Sequence, residues 1–305
     1  MDRIVIAFGG NALLQNGDQR SYEVQYKHAK EAFKSISKIL AENNVILTHG
    51  NGPQVGDILL SHELSGVKAY LHECVAMSQG YIAEILSNAY DEVKSVAGIN
   101  KKLVPIITRV VVDKKDAAFG NPTKPIGRSY REEEVLELEK QGWKMKKTDE
   151  GWRRVVPSPM PIKIVELEAI EKLADSAHIP VAVGGGGIPV IEEKGERKGV
   201  DAVIDKDFAS SLLATEVKAD TLMILTDVDY AYIDFEKPSQ KEIREVSLDE
   251  IKEYTKKGMF EKGSMLPKVQ AAIDFVEKGG KKAIITSLDK ASSAFYEGFG
   301  TIIKK

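Results

Sequence analysis

The stretch VAVGGGGIPV, residues 181–190, sets four consecutive glycines directly behind a short apolar run. A flexible linker is flanked by polar residues. This tract instead leaves what reads as a buried strand and continues into Ile188-Pro189-Val190. Glycine accepts positive φ and, lacking a Cβ, lets another group approach the backbone. The stretch therefore reads as a sharp turn at a strand end, forming the wall of a pocket.

Two further strand ends carry glycine turns. RIVIAF (3–8) runs into Gly9-Gly10-Asn11, and VILT (45–48) runs into His49-Gly50-Asn51-Gly52. Helical patterns alternate with these strands. Residues 21–42 place Phe33, Ile36, Ile39 and Leu40 at helical spacing. A helix is expected from about Pro53, which suits a first helical position. Other helices are expected at 77–96, 166–176, 208–217 and 269–277. Strands are expected at 103–112, 180–183 and 221–226, with one ending at Ile204 and the last at 282–286. Strand, glycine turn and helix in repetition imply a parallel sheet with helices on both faces. Ligands in such sheets bind at the carboxyl ends of the strands, where these glycines sit.

Residues 113–158 break the rhythm. They hold NPTKPIG, the charged run REEEVLELEK, both tryptophans and the start of VVPSPMP. This composition predicts an inserted, lid-like subdomain. The expected division is 1–204, carrying that insertion, and 205–305.

Bulk properties narrow the function. The chain has 305 residues, 43% of them apolar, and a formal net charge of -3. That balance excludes the strongly basic character of a nucleic-acid-binding domain. No apolar run nears the roughly 20 residues needed to span a bilayer, so no membrane role is expected. The start, MDRIVIAFGGNALL, lacks the pattern of a secretory leader. One cysteine, Cys74, cannot form an internal disulfide. A cytoplasmic protein is expected.

The residues point to an anion. A glycine turn opening into a helix aims free N–H groups and the helix dipole at negative charge. No GxxxxGK[ST] loop is present, and GGNALL and GGGGIP do not make a GxGxxG fingerprint. Three lysines stand in unusual contexts: Lys124 between prolines in NPTKPIG, Lys206 between aspartates in AVIDKDFA, and Lys268 behind GSMLP. Phosphoryl transfer needs positioning and positive charge on the transferring oxygens more than covalent chemistry. Asp207 could hold the lysine heads, hold a metal, or cap a helix. The five histidines form no zinc pattern, there is no GxSxG nucleophile, and Cys74 reads as a core residue.

Taken together, IAFGGNAL (6–13), LTHGNGPQVG (47–56), AMSQGYI (76–82), NPTKPIG (121–127), GWRRVVPSP (151–159), GGGGIPV (184–190), AVIDKD (202–207), MILTDVD (223–229) and GSMLPKV (263–269) resemble the carbamate kinase family of the amino acid kinase superfamily, essentially end to end. The resemblance implies a three-layer αβα sandwich around a mainly parallel, about eight-stranded sheet with a small protruding subdomain. It implies reversible transfer between ATP and carbamate, forming ADP and carbamoyl phosphate, and running toward ATP in fermentative arginine breakdown. By position, Gly9, Gly10, Asn11, Gly50, Asn51 and Gly52 would line the site of transfer. Lys124 would reach the carbamate side. Lys206 and Lys268 would neutralise the moving phosphoryl group, with Asp207 orienting them. Thr226, Asp227, Val228, Ser264, Met265 and Pro267 would flank the nucleotide. Mg²⁺ would come with ATP or ADP, held mainly by the nucleotide phosphates, with no protein ligand assigned. The family is homodimeric, with the amino-terminal part forming the interface. A different acceptor within the superfamily, or a nucleotide sensor without turnover, remains an alternative.

Overall fold

The computed structural model describes the chain apart from residues 16, 149, 150 and 262, and of Asn11 it describes the backbone only. Its centre is an eight-stranded sheet. In spatial order the strands are Glu245–Ser247, Thr301–Lys304, Lys282–Ser287, Thr221–Thr226, Arg3–Phe8, Asn44–His49, His178–Val181 and Lys102–Pro105. All neighbours run parallel except Lys282–Ser287 against Thr301–Lys304. This is the αβα sandwich expected from the sequence.

The strand Arg3–Phe8 shows why the runs are apolar throughout rather than alternating. Successive side chains point to opposite faces, and here both faces are covered. Ile4, Ile6 and Phe8 pack with Phe33, Ile36 and Leu40 of the helix Tyr22–Glu42 and with Tyr90 of the helix Leu71–Ala97. Val5 and Ala7 face the other way, into a core shared with Leu213 of the helix Lys206–Glu216 and Phe275 of the helix Met265–Glu277. Ser21, whose hydroxyl accepts from the Val24 amide at 3.3 Å, fixes where the first helix starts.

Several expectations need correction. The apolar run 103–112 is two strands. Lys102–Pro105 belongs to the main sheet, and Arg109–Val112 belongs to a second sheet with Ile188–Glu193, Glu196–Gly199 and Pro161–Ile164. Where the chain has left the main sheet, Gln79 holds Thr108, accepting its amide at 2.9 Å and donating to its carbonyl at 3.2 Å. The helix expected at 77–96 begins at Leu71, where Glu73 accepts from the Tyr70 amide. Residues 202–204 form no strand, and the helix expected at 208 starts at Lys206. The helix expected at 269 starts at Met265, with Pro267 in its first turn. A short strand, Thr301–Lys304, follows the one taken as the last.

Within residues 113–158 lies a separate small sheet. Strands Lys124–Tyr130, Gly151–Val156 and Met145–Thr148 make a small antiparallel sheet beside the helix Glu132–Lys140. Its base is buried: Ile126 and Val156 pack with Val55, Leu59 and Val203. A Cβ on Gly56 would fall 2.0 Å from the Cα of Gly127. The small sheet therefore meets the helix Gly52–Ser65 backbone against backbone. Among the described residues no helix is long and apolar enough to cross a membrane.

Candidate active site

The carboxyl ends of the strands Arg3–Phe8 and Asn44–His49 open onto a cavity of about 520 Å³. Its lining includes Gly10, Gly50, Asn51, Gly52, Lys124, Lys206, Gly185 and Asp227, with Arg20 and Arg153 at its sides. The helix Gly52–Ser65 begins at its edge, presenting the positive end of a helix dipole.

The glycine turns differ in what a side chain would meet there. A Cβ on Gly10 or Gly52 would have nothing within 4 Å, and the nearest atoms to one on Gly50 would be the stem of Lys206, at 3.4 Å, and the Gly10 amide. Gly9 faces away, where a Cβ would lie 2.6 Å from the Leu225 carbonyl of the neighbouring strand. The backbone of Asn11 lies in the short turn Gly10–Ala12, and its side chain is outside the described structure.

The four glycines 184–187 form a buried tight turn, entered through Val183 at a left-handed φ of 54°. Each missing Cβ is replaced by a different part of the protein. His49 fills the place at Gly184, Asn51 that at Gly185, the Ile204 carbonyl that at Gly186, and Val110 that at Gly187. The close approach inferred from the sequence is thus mainly protein on protein. Of the four, Gly185 lines the cavity. Gln79 donates to the Gly184 carbonyl at 2.9 Å, and Asn51 donates to Ser78 at 2.8 Å, so the turn and its neighbours form one hydrogen-bonded block.

The lysines converge from three elements. Asp205 caps the helix Lys206–Glu216, accepting the Asp207 amide on Oδ1 at 2.8 Å. Asp207 is therefore not the cap. It is buried, and it takes Lys206 Nζ at 2.5 Å on one oxygen and Lys268 Nζ at 3.4 Å on the other. Burial alone would raise its pKa, but the two ammonium groups hold it well below the usual carboxylate range. Burial lowers the pKa of Lys206, against the pull of Asp207. Lys124, at the start of the strand Lys124–Tyr130, donates to Asp205 Oδ2 at 2.5 Å. Burial works against its charge, but Asp205 outweighs it and raises the Lys124 pKa. Three ammonium groups face two carboxylates, so the cluster carries net positive charge and suits an incoming anion. Thr48 and Ser210, 2.6 Å apart, tie the second strand to the lysine-bearing helix.

Beside this cavity a smaller pocket of about 80 Å³ is lined by Asp227, Val228, Tyr232, Phe235, Glu261, Ser264 and Met265. Thr226 donates to Asp227 at 2.9 Å at its edge. Pro267 sits in the first turn of the helix behind it. Sequence reasoning missed Asp205, Arg153, Tyr232 and Phe235. An aspartate just before a helix carries a capping signal, but its link to Lys124 spans 81 positions and leaves no local trace.

A mainly parallel αβα sandwich, with glycine turns and lysines gathered at its carboxyl edge, defines a protein that handles anions of phosphate size. Residues 2–287 match the amino acid kinase family. The carbamate kinase of Thermoplasma volcanium is 59% identical, with 99% of each chain covered. That of Thermococcus kodakarensis is 48% identical, with 99% of this chain and 98% of the relative covered. Among solved structures, carbamate kinase from Giardia lamblia bound to AMP-PNP superposes with a TM-score of 0.91 at 45% identity, covering 100% of this chain and 98% of that one. The chain belongs to the amino acid kinase family, and within it to the carbamate kinases. Its reaction is phosphoryl transfer between ATP and carbamate, giving ADP and carbamoyl phosphate.

Proposed function

We propose that Lys206 and Lys268 carry the phosphoryl group and that Lys124 holds the carbamate end. The observation behind this reading is the arrangement of Lys206 and Lys268 on the single buried carboxylate of Asp207, beside the cavity into which Lys124 also reaches. Transfer needs two anions brought into line. Carbamate is already an anion, so no protein base is required. The work falls to position and to charge arranged before the reaction begins. Asp207 keeps both ammonium groups pointing one way, so they need not reorganise as charge spreads over the transferring oxygens. The backbone at Gly10, Gly50 and Gly52 closes on the same oxygens, Asn11 is assigned to the same site by its place in the sequence, and Asn51 braces the turn through Ser78. Gly9 sets the first strand tight against Leu225.

The nucleoside end lies against Thr226–Val228 and Ser264–Pro267, with Tyr232 and Phe235 offering apolar faces to a base. Mg²⁺, if bound to the nucleotide phosphates, would supply further positive charge there. The nearby carboxylates Asp205 and Asp207 are already engaged by lysines, which fits an ion held by phosphate oxygens. Residues 1–204 then serve carbamate and 205–305 the nucleotide, on one continuous sheet. In the cell the reaction runs toward ATP, in fermentative arginine breakdown in the cytoplasm. A homodimer is supported by Leu64, Val67, Tyr70, Met77 and Tyr81, all apolar and exposed in the amino-terminal part. Light scattering on the purified protein tests it.

The decisive assay is ATP formation from ADP, Mg²⁺ and carbamoyl phosphate, coupled to a dye. Rapid turnover supports the reading. Turnover of acetylglutamate with none of carbamate would reassign the acceptor.

A further inference from the structure

We propose that Asp205 is a positioning residue for the transfer reaction, clamping the lid lysine Lys124 over the acceptor side of the cavity. This rests on the reading of Lys124 given above. Lys124 stands at the start of the lid strand Lys124–Tyr130. A lysine side chain is a compact charge on a flexible four-carbon stem, and a free one explores many rotamers. Here it is fixed. Its Nζ donates to Asp205 Oδ2 at 2.5 Å, while Asp205 Oδ1 accepts the Asp207 amide at 2.8 Å.

One carboxylate thus joins the lid to the amino terminus of the helix that carries Lys206 and Asp207. Beside Asp205, Val156 and Ile126 also pack against Val203, whose amide donates to the Pro157 carbonyl at 3.0 Å, and two further attachments lie on the helix Gly52–Ser65. Arg154 pairs with Glu63 at 2.7 Å, and Gly127 abuts Gly56. The Lys124–Asp205 pair adds a tie to the lysine-bearing helix. An ammonium group has three donors. One is spent on Asp205, and two are left for an anion in the cavity that Lys124 lines. The pair is suited to aim Lys124, because the Lys124 side chain keeps 34% exposure while Asp205 keeps 12%. The carboxylate is the fixed partner and the ammonium group is the one presented.

Asp205→Asn tests this, since the amide oxygen retains the helix cap while the charge is lost. The Michaelis constant for carbamoyl phosphate should rise about tenfold, as expected for losing a hydrogen bond to a charged group. The dissociation constant for ADP should stay within about twofold. Without ligand, amide hydrogen exchange across 124–130 should speed up. In a Lys124→Ala background the same substitution should add little. An unchanged constant for carbamoyl phosphate, or a lower one, would overturn the clamp. So would an effect that persists in full without Lys124, because Asp205 would then act through its helix. Asp205→Ser, which also caps, serves if the asparagine variant folds poorly. Wild-type protein that makes no ATP from carbamoyl phosphate would refute the functional reading instead, while exchange in the lid would still report on the clamp.

Discussion

The two kinds of glycine turn at this sheet edge look alike in sequence and do opposite things. At Gly10 and Gly52 a Cβ would enter open space. At Gly184–Gly187 every Cβ would strike protein: an imidazole, a carboxamide, a carbonyl and a valine. In the first kind the missing side chain leaves room beside the lysines. In the second it lets strand ends, the Gly52–Ser65 helix and the approach to Asp205 close on one another. A glycine run therefore marks a close approach without saying what approaches.

The cations behind the open turns offer the strongest way to test that contrast. If Gly10, Gly50 and Gly52 leave room for a phosphoryl group, its charge must be met by Lys206 and Lys268. Lys206→Ala or Lys268→Ala should lower kcat at least about a hundredfold, a loss of roughly 3 kcal/mol of transition-state stabilisation. Steady-state kinetics with ADP and carbamoyl phosphate measures this. Near-normal turnover in both variants would make the open turns ordinary chain reversals.

The packed turn should fail differently. A Cβ at Gly186 would lie 2.3 Å from the Ile204 carbonyl, on a backbone with φ of 93°. Gly186→Ala should destabilise the fold by about 2–4 kcal/mol, combining backbone strain with overpacking. Urea denaturation gives the value. A cost under about 0.5 kcal/mol, the range of ordinary surface changes, would show the turn to be loosely held.

These contrasts mark how far the sequence could be read. The runs at 3–8, 45–48 and 221–226 announce a sheet covered on both faces, because their inner positions are apolar without alternation. The glycine turns and three lysines were also visible, since each is a local anomaly. What joins them was not. Asp207 meets Lys268 across 61 positions and Asp205 meets Lys124 across 81, and only the fold supplies those distances. The break at 106–108 was hidden for the same reason, since the Gln79 side chain that holds Thr108 lies 29 positions upstream. Thr301–Lys304 is too short for its apolar pattern to distinguish a strand from a tail.

His49 links the two kinds of turn, since it ends the strand before Gly50 and fills the space at Gly184. Burial lowers its pKa from 6.5 to about 4. The unfolded chain therefore takes up the proton first as pH falls. The stability tied to the neutral ring is complete above about pH 6.5 and is lost between there and about pH 4. That window corresponds to about 3 kcal/mol. Denaturation of wild type and His49→Asn at pH 7 and pH 4.5 should show a steeper loss for wild type. Equal slopes would mean that the ring is charged inside the fold as readily as outside it.

The smallest stability effect should come from the open turn. At Gly10 a Cβ would meet nothing within 4 Å, and its φ lies outside the left-handed region. Gly10→Ala should leave stability within about 0.5 kcal/mol of wild type. Its methyl would intrude on the cavity wall where the backbone is proposed to approach the phosphoryl group, and misplacing the reacting groups by a fraction of an ångström is costly. A loss of about tenfold in kcat/KM with an unchanged urea midpoint is the expected pattern. It is the reverse of the pattern at Gly186, where stability should fall first. If Gly10→Ala spared activity as well, its open space would have no bearing on the reaction. The distinction between the two turns would then reduce to packing alone.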